Sequence, residues 1–246
     1  MNTAILAAII SALTALAVTA ATLIVTNMNE KKKESKVIRN KYLNPLRLYL
    51  EENYFRISEI IQRVKDGNGE CKILLYIKTP EEVSNKDASW FNGKGCYLIS
   101  SCYFTACLFT FIKKVREDIP YLRLKGGDDT KLLNLIFKVS HSFLQDLGIY
   151  YAIQHSIGEQ AYIRSEERCM TYQEFCEALL DNDRRMWFDR LLKFYLDTAE
   201  GKSIERANSV VESIYNLSAF LDSKVGGGPS IRERLRAENV DFENTL

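Results

Sequence analysis

Charge is missing from one end of this chain. Residues 1–29 contain no Lys, Arg, Asp or Glu, so all 33 basic and 32 acidic side chains lie in the rest of the 246 residues. Proline and glycine are also few, at 4 and 12, while 46% of the residues are apolar. This composition is typical of a folded helical protein and excludes a largely disordered chain.

An excess of positive charge is absent as well. The formal net charge is +1, whereas a general nucleic-acid binder needs surplus Lys and Arg to replace the counterions of the phosphates. We therefore expect no general nucleic-acid binding. A local basic patch stays open as an alternative.

Metal ligands are sparse. The chain has 6 cysteines and 2 histidines, and they follow no recognised metal-ligand spacing such as C-x-x-C. We therefore predict neither a metal nor a cofactor. The cysteines lie mostly among apolar residues, which favours small buried side chains that stay reduced in a reducing compartment. These residues are Cys71, Cys96, Cys102, Cys107, Cys169 and Cys176, with His141 and His155.

Common catalytic and phosphate-binding motifs are absent too. The glycines in Leu124–Lys131 lack the G-x-x-x-x-G-K-[ST] pattern, and those in Gly226–Pro229 have no lysine after them. Neither H-E-x-x-H nor G-x-S-x-G occurs, and neither histidine has the R-x(4–6)-H spacing of helical ribonucleases. We assign both glycine clusters to turns or linkers.

The uncharged N-terminal run predicts a transmembrane helix. Ala4–Val25 would span about 33 Å as a helix, and a hydrocarbon core is about 30 Å thick. A buried soluble helix is one alternative, disfavoured because the run is apolar all round and a charge cluster follows it. A cleaved signal peptide is another, disfavoured by the missing basic n-region, although the alanines at Ala17–Ala21 suit a peptidase.

The flanks of this run predict its orientation. Lys31–Lys33, Lys36, Arg39 and Lys41 follow the run and nothing basic precedes it. Because basic residues stay on the cytoplasmic side, we expect the N-terminus outside and the C-terminal domain in the cytoplasm, with the lipid bilayer as one partner.

Small residues recur within the run. Ala4, Ala8 and Ala12 follow one another at intervals of four positions, and so do Ala17 and Ala21. Small side chains let two membrane helices approach closely, so we predict packing of the span through these alanines and self-association of the chain.

A second apolar run, Cys96–Ile112, could be mistaken for another span. A second crossing would place a basic segment, either Lys31–Lys41 or the one from Lys113 onward, outside the cytoplasm, against the positive-inside bias. The run is also short and rich in Ser, Thr, Cys and Tyr. We therefore predict that it is the central buried helix of a bundle.

The fold class that we predict is mainly α, an N-terminal transmembrane helix followed by an α-helical bundle domain. The boundaries are 1–29 for the anchor, 30–44 for a basic juxtamembrane linker, 45–225 for the cytoplasmic helical domain and 226–246 for a flexible tail. Asn44 with Pro45 predicts the first helix start of the domain, with Asn44 as the N-cap.

Other local signals predict further helix ends. Asp66–Gly69 ends the first helix of the domain, and Cys71–Thr79 reads as an irregular arm or short edge strand. Pro120 is expected to close the helix from Gly95. Gly158 is expected to interrupt the helix within Ile149–Ile163.

The C-terminal half of the domain carries a capping box and two helical patterns. Thr171 and Glu174 form the capping box. One helix is predicted over Asp183–Thr198 and another over Ser203–Ser223.

One polar cluster, from Gln154 to Arg168, interrupts the apolar pattern. His155 and Glu159 are four residues apart and could share a helix face suited to acid–base chemistry. The interpretation that we favour is a solvated connection held by structural ion pairs. His155 and Glu159 are the only candidates for catalysis that the sequence offers.

The order of these features gives a resemblance. The motifs Lys41–Leu46, Ile157–Glu159 and Cys169–Phe175, after an N-terminal span and a basic stretch, resemble those of uncharacterised single-pass bacterial membrane proteins with helical cytoplasmic domains. The resemblance implies this architecture and carries no catalytic residues.

The function that we expect is that of a membrane-anchored interaction domain without enzymatic activity, which binds a protein partner or a second copy of itself. The alternative is a membrane effector, for example in bacterial defence, that acts through self-association of its transmembrane helix. A hydrolase that uses His155 and Glu159 comes last.

Overall fold

The computed structural model describes residues 3–122, 127–144 and 148–225. The predicted tail, 226–246, lies outside these residues. Side chains are described for most positions, but not for Ala4 and Ala8.

The chain forms two compact units, Met1–Lys41 and Tyr42–Leu246, and the described residues of both are mainly helical. The first unit contains helix α1 (Thr3–Ile38). Two short strands pair as an antiparallel hairpin in the second unit, β1 (Tyr162–Ile163) and β2 (Arg168–Cys169). The helices described in the second unit are α2 (Asn44–Asp66), α3 (Ala88–Asn92), α4 (Cys96–Leu122), α5 (Asp128–Leu144), α6 (Tyr151–Gln160), α7 (Tyr172–Leu180), α8 (Asn182–Arg185), α9 (Asp189–Ala199) and α10 (Ile204–Val225), with a 3₁₀ turn at Pro80–Asn85.

Helix α1 contains the uncharged run and continues into the basic segment after it. Residues 30–44, predicted as a linker, are helical throughout, with a π-helical turn at Arg39–Leu43. Every side chain from Ile10 to Glu30 is exposed, and this stretch is long and apolar enough to cross a membrane.

The start of α2 differs from the prediction. Leu43 has helical dihedral angles, φ −77° and ψ −37°, and forms no side-chain cap, so Asn44 is not an N-cap. Pro45 nevertheless lies in the first turn, as predicted. A proline after helical residues removes one N–H and clashes with the carbonyl four positions earlier. The π-helical turn directly before α2 is wider than an α-helical turn, and this relieves the clash of the proline ring with the preceding carbonyl.

Helix α2 places one apolar face in the core and ends where the sequence predicts. It stops at Asp66, and Asn68 and Gly69 turn the chain with φ of 57° and 95°. Six apolar side chains spaced three or four positions apart are all buried, Leu46, Leu50, Tyr54, Ile57, Ile61 and Val64.

The segment Cys71–Thr79 consists of turns, which confirms an irregular arm rather than an edge strand. Its backbone is held by a hydrogen bond from the Cys71 N–H to the Ala199 carbonyl at 2.7 Å. Two side chains of this segment, Leu74 and Ile77, are buried. The arm therefore contributes apolar side chains to the core without forming part of a sheet.

Helix α4 is the most widely contacted helix among those described. It packs against α2, α3, α5, α6, α7 and α9, and most of its apolar stretch Cys96–Glu117 is buried. The prediction that Pro120 closes this helix is wrong, because α4 continues to Leu122. The fixed φ of proline fits a helix, and near a helix end its missing N–H costs only one backbone bond.

A buried hydroxyl network joins α4 to α2 and α9. The Thr105 hydroxyl donates to Asn53 Oδ1 at 2.5 Å and, since it has one proton, accepts from the Tyr195 hydroxyl at 2.6 Å. Asn53 in turn donates to the Tyr49 carbonyl at 2.7 Å. These bonds satisfy polar groups in an otherwise apolar core, as burial requires.

Helix α6 is continuous, so the predicted interruption at Gly158 is wrong. A Cβ built at Gly158 would lie 2.7 Å from the Thr110 backbone nitrogen and 2.8 Å from the Phe109 carbonyl carbon. The Thr110 hydroxyl donates to the Gly158 carbonyl at 2.7 Å. The glycine is therefore required by the close packing of α6 on α4 rather than by a break in the helix.

The last helices follow the predicted caps with one difference. Thr171 and Glu174 form the predicted capping box at the start of α7. The single helix predicted over Asp183–Thr198 is divided into α8 and α9 by a tight turn, in which the Phe188 N–H bonds to the Arg185 carbonyl at 2.7 Å. This turn buries Phe188 completely.

Candidate functional site

The predicted pair His155 and Glu159 lies on one face of α6, where α6 packs against α4. Glu159 Oε1 accepts a hydrogen bond from Lys113 Nζ at 2.5 Å, and Lys113 also pairs with Glu117 at 3.0 Å. The hydrogen bonds described for Glu159 therefore involve Lys113 and not His155. The carboxylate is held by an ion pair between two helices.

His155 lies beside positive charge. Its Nε2 is 3.5 Å from Arg116 Nη1. Burial, and then the charges of Arg116 and Lys113, hold the pKa of His155 below its usual value. The hydrogen bond from Lys113 lowers the pKa of Glu159. At neutral pH the His155 imidazole is therefore neutral and lies next to the Arg116 guanidinium. The ionised Glu159 carboxylate is bound to Lys113, so it does not orient His155 as it would orient a catalytic base.

The second histidine of the chain lies close to the same face of α6. His141, on α5, stacks on Phe137 with ring centroids 5.8 Å apart and lies 3.1 Å from the Tyr151 hydroxyl through Nδ1. Phe137 also stacks on Tyr151 at 5.7 Å. The three rings form one continuous stack across α5 and α6.

Tyr151 links the two histidines. It lies one helical turn before His155 on α6, and it bonds to His141 on α5. Burial raises the pKa of Tyr151, while the nearby charge of Arg116 opposes this shift. Arg116, Phe137, His141, Tyr151 and His155 therefore form one patch, called here the His–aromatic surface.

The His–aromatic surface is open to solvent. Phe137 is 51% exposed, and the neighbouring Tyr150 is 47% exposed. Aromatic side chains bury a large area with few rotatable bonds, so such a surface gains much contact at a small entropy cost. The guanidinium of Arg116 adds a donor for a carboxylate or phosphate. The surface thus presents aromatic rings and a guanidinium side by side.

The amino-acid sequence indicates this surface only in part. An aromatic residue precedes each histidine by four positions, Phe137 before His141 and Tyr151 before His155. Four residues is one helical turn, so each pair shares a helix face. The pattern predicts two pairs, but their meeting depends on how α5 packs on α6.

The rest of the predicted polar cluster does not join the surface. Gln154 is buried and donates to the Ser140 carbonyl at 2.8 Å and the Ile149 carbonyl at 2.7 Å. It thus holds the connection between α5 and α6 in place. Arg168 pairs with Glu174 at 2.7 Å and with Glu166 at 2.7 Å on the β hairpin. Both are structural roles.

A depression of about 670 Å³ at the start of α10 is a weaker candidate. Its lysines are already paired with acidic side chains, Lys193 with Asp197 at 3.0 Å and Lys202 with Glu200 at 2.5 Å. Such pairs compete with an incoming anion. Within the described ranges no group of three or more His, Cys, Asp or Glu side chains is placed to hold a metal ion.

The alanines predicted to pack in the span lie on α1. Ala12, Ala17 and Ala21 are exposed, whereas the side chains of Ala4 and Ala8 lie outside the described part of the structure. Nine residues separate Ala12 from Ala21, about two and a half turns, which places them on opposite sides of the helix. One helix pair can therefore use only one of the two alanine sets.

Comparison of the chain with protein-family models, with curated proteins and with solved structures gives no significant match.

Proposed function

We propose that the chain is a single-pass membrane protein whose helical bundle domain lies in the cytoplasm and binds a protein partner through the His–aromatic surface. The observation that carries the proposal is the exposure of α1. Over Ile10–Glu30, 0% of the helix is buried, although it is one of the most apolar stretches of the chain. An uncovered apolar surface of this size marks a lipid or protein contact.

The polar groups of α1 suit a hydrocarbon environment. Thr14, Thr19 and Thr22 each donate to the carbonyl four residues earlier at 2.8 Å. Helices satisfy their own backbone, and these bonds satisfy the hydroxyls as well. The 21-residue stretch would be about 31 Å long, which matches a hydrocarbon core.

The orientation rests on the basic residues after the stretch. Lys31–Lys33, Lys36, Arg39 and Lys41 lie within one short segment at its C-terminal end. This asymmetry favours a cytoplasmic domain.

The partner that the His–aromatic surface suits is a protein segment with an apolar side chain and a carboxylate. The stack of Phe137, His141 and Tyr151 is fixed by ring contacts, so these side chains lose little conformational entropy when a partner binds. Arg116 faces the neutral ring of His155 in its described contact. A carboxylate would therefore meet the guanidinium beside this ring, where Glu117 and Glu159 are the nearby acidic side chains.

Membrane vesicles with the cytoplasmic side inward test the anchor and its orientation. The full chain should resist carbonate extraction, and trypsin added outside should cut the domain only after detergent is added. A chain that lacks residues 1–29 is the control and should be soluble. Extraction of the full chain by carbonate would refute the anchor, and cleavage in intact vesicles would refute the orientation.

Site-specific photo-crosslinking tests the surface. A photoreactive amino acid at Phe137 should give a defined protein adduct, and the same group at Glu212, exposed on α10, should not. Arg116→Glu should lower the yield at Phe137, because a carboxylate would then meet a like charge. Equal yields at both positions, or no effect of Arg116→Glu, would contradict the proposal.

A membrane effector is the second candidate, favoured by the exposed small side chains of α1. Ala17→Leu with Ala21→Leu, or Ala8→Leu with Ala12→Leu, should weaken crosslinking between copies in membranes, because leucine keeps the backbones apart. Only one of these two pairs should have the effect. If neither does, α1 is only a tether and the effector function is ruled out.

A further inference from the structure

Two cysteines far apart in sequence meet between α4 and the β hairpin. The side chains that lie close enough to act on the Cys169 thiol include Cys107, Thr110 and Lys114. These three residues are spaced by three and four positions, so they form one face of α4. Cys169 therefore lies over a single strip of α4, with the thiol of Cys107 as its neighbour.

The backbone around Cys169 is fixed on α4 from both sides. The Tyr103 hydroxyl donates to the Met170 carbonyl at 2.8 Å, and the Met170 N–H donates to the Ala161 carbonyl at 2.8 Å. On the other side, the close approach of Gly158 to Thr110 holds the end of α6 that leads into β1. The two thiols thus stay together without a disulfide between them.

The two thiols differ in environment. Cys107 is fully buried, whereas Cys169 is partly exposed on β2. The neighbouring thiol of Cys107, then the Thr110 side chain and the charge of Lys114, lower the pKa of Cys169 against the opposing effect of its burial. Burial raises the pKa of Cys107. Cys169 is therefore both the more accessible and the more easily ionised of the two thiols, which makes it the one that an oxidant reaches first.

We propose that Cys169 is a reactive thiol that a peroxide oxidises, and that Cys107 resolves the product as a Cys107–Cys169 disulfide. In the first step the Cys169 thiolate attacks one peroxide oxygen, the O–O bond breaks, and a sulfenic acid and hydroxide form. In the second step Cys107 Sγ attacks the sulfenic sulfur, its proton leaves with the hydroxyl group as water, and the S–S bond forms. The two thiols lose two electrons, which reduce the peroxide. This site does not depend on the proposed function.

The disulfide would join α4 to the hairpin across 61 intervening residues. It would stabilise that junction by restricting the unfolded chain, and its formation would be reversed by a cellular dithiol. The chain would thereby respond to oxidant in a compartment that otherwise keeps its cysteines reduced.

A second cysteine pair provides the matched control. Cys96 and Cys176 both lie beside the Tyr172 hydroxyl, between α4 and α7. Burial raises the pKa of Cys176 to about 11. Its thiol therefore stays protonated at neutral pH and should react slowly with a peroxide.

The test treats the reduced full-length chain in detergent micelles with hydrogen peroxide, blocks remaining thiols and maps the peptides by mass spectrometry without reduction. The expected product is a Cys107–Cys169 linked peptide, lighter by two hydrogen atoms, about 2 Da, than the two free peptides. Cys176→Ser should leave its yield unchanged. Cys107→Ala should stop the reaction at a Cys169 sulfenic acid, which dimedone labels. Circular dichroism checks that each variant is folded.

Several results would overturn the proposal. They are a linkage of Cys96 to Cys176, oxidation of Cys169 that leaves Cys107 free in the wild-type chain, or equal oxidation rates for Cys169 and Cys176. If Cys107→Ala does not fold, dimedone labelling of the wild-type chain during the first moments of oxidation decides instead. Labelling must then appear at Cys169 before the disulfide forms.

Discussion

Helices α1 and α4 have similar lengths of apolar sequence and opposite surroundings. Both contain a stretch apolar enough to cross a membrane, Ile10–Glu30 in α1 and Cys96–Glu117 in α4. None of the first stretch is buried, whereas most of the second is. Apolarity alone therefore does not show whether a helix is covered by lipid or by protein.

The hydroxyl groups of the two helices distinguish them. In α1 the hydroxyls of Thr14, Thr19 and Thr22 bond to the backbone of their own helix. In α4, Tyr103, Thr105 and Thr110 bond to groups from other elements, between 48 and 90 positions away in the sequence. A helix in lipid must satisfy its polar groups internally, while a helix in a protein core can share them with its neighbours.

The largest effect should come from one aspartate placed in each helix. Leu108, in α4, is 0% exposed, and Leu16, in α1, is 67% exposed. Leu108→Asp should unfold the domain, because the lost packing costs about 2–5 kcal/mol and the unpaired buried charge adds to this. Leu16→Asp should leave domain stability unchanged and weaken membrane insertion by about 3 kcal/mol.

Urea unfolding in micelles and membrane fractionation measure both effects. Equal domain stabilities for the two aspartate variants would remove the distinction between α1 and α4. Leu16→Asn is a matched control for the charge, since it keeps the shape of the aspartate side chain.

A smaller effect is expected where α6 packs on α4. Gly158→Ala would place a Cβ 2.7 Å from a backbone atom of α4, so the helices must separate. Overpacking of this kind costs about 1–3 kcal/mol, against a gain of about 1 kcal/mol from helix propensity. We therefore expect a net loss of up to about 2 kcal/mol in chemical unfolding. Ala152→Gly, at an exposed position of α6, isolates the propensity difference, and a stabilised Gly158→Ala would contradict the packing.

Removal of one hydroxyl from each helix tests the difference in their polar groups. Thr105→Val leaves Asn53 Oδ1 and the Tyr195 hydroxyl without this partner and should cost about 1–3 kcal/mol of domain stability. Thr14→Val removes a hydroxyl that bonds within α1 and should leave domain stability unchanged. Similar losses in thermal unfolding would show that the two hydroxyls have the same role.

The smallest effect concerns the charged end of α4 beside α6. The folded-state pKa of His155 is lowered by burial and by Arg116 and Lys113. Its contribution to stability is therefore complete above the unfolded value of about 6.5 and is lost as the pH falls through the lower folded-state pKa. Partial exposure of the ring keeps this loss small.

His155→Gln should remove that pH dependence. The measurement compares the unfolding free energies of the two chains between about pH 8 and about pH 5. An NMR titration in which His155 has a pKa above its unfolded value would contradict the arrangement with Arg116.

Much of the secondary structure could be predicted because its signals are local. The capping box of Thr171 and Glu174 and the turn at Asp66–Gly69 involve residues within four positions of each other. The failures have non-local or competing causes. Gly158 looks like a break in sequence, but its partner atoms belong to Phe109 and Thr110 on another helix.

The candidate site was harder to predict for the same reason. His155 and Glu159 were selected because four residues separate them, yet each bonds to a residue of α4, Arg116 or Lys113. No spacing in the sequence relates α6 to these partners. His141 was overlooked because its pairing with Tyr151 depends on the packing of α5 against α6.

The sequence by itself determined the helical class, the position of the uncharged N-terminal helix and several helix ends, such as those at Asp66 and Thr171, because periodicity and capping act over a few residues. Only the tertiary structure decided which helices cover α4, namely α2, α3, α5, α6, α7 and α9. It also decided that His141 meets Tyr151 and that Cys107 meets Cys169. These contacts arise where separate helices and the hairpin pack together, and packing depends on the shapes of all the surfaces at once rather than on any local pattern.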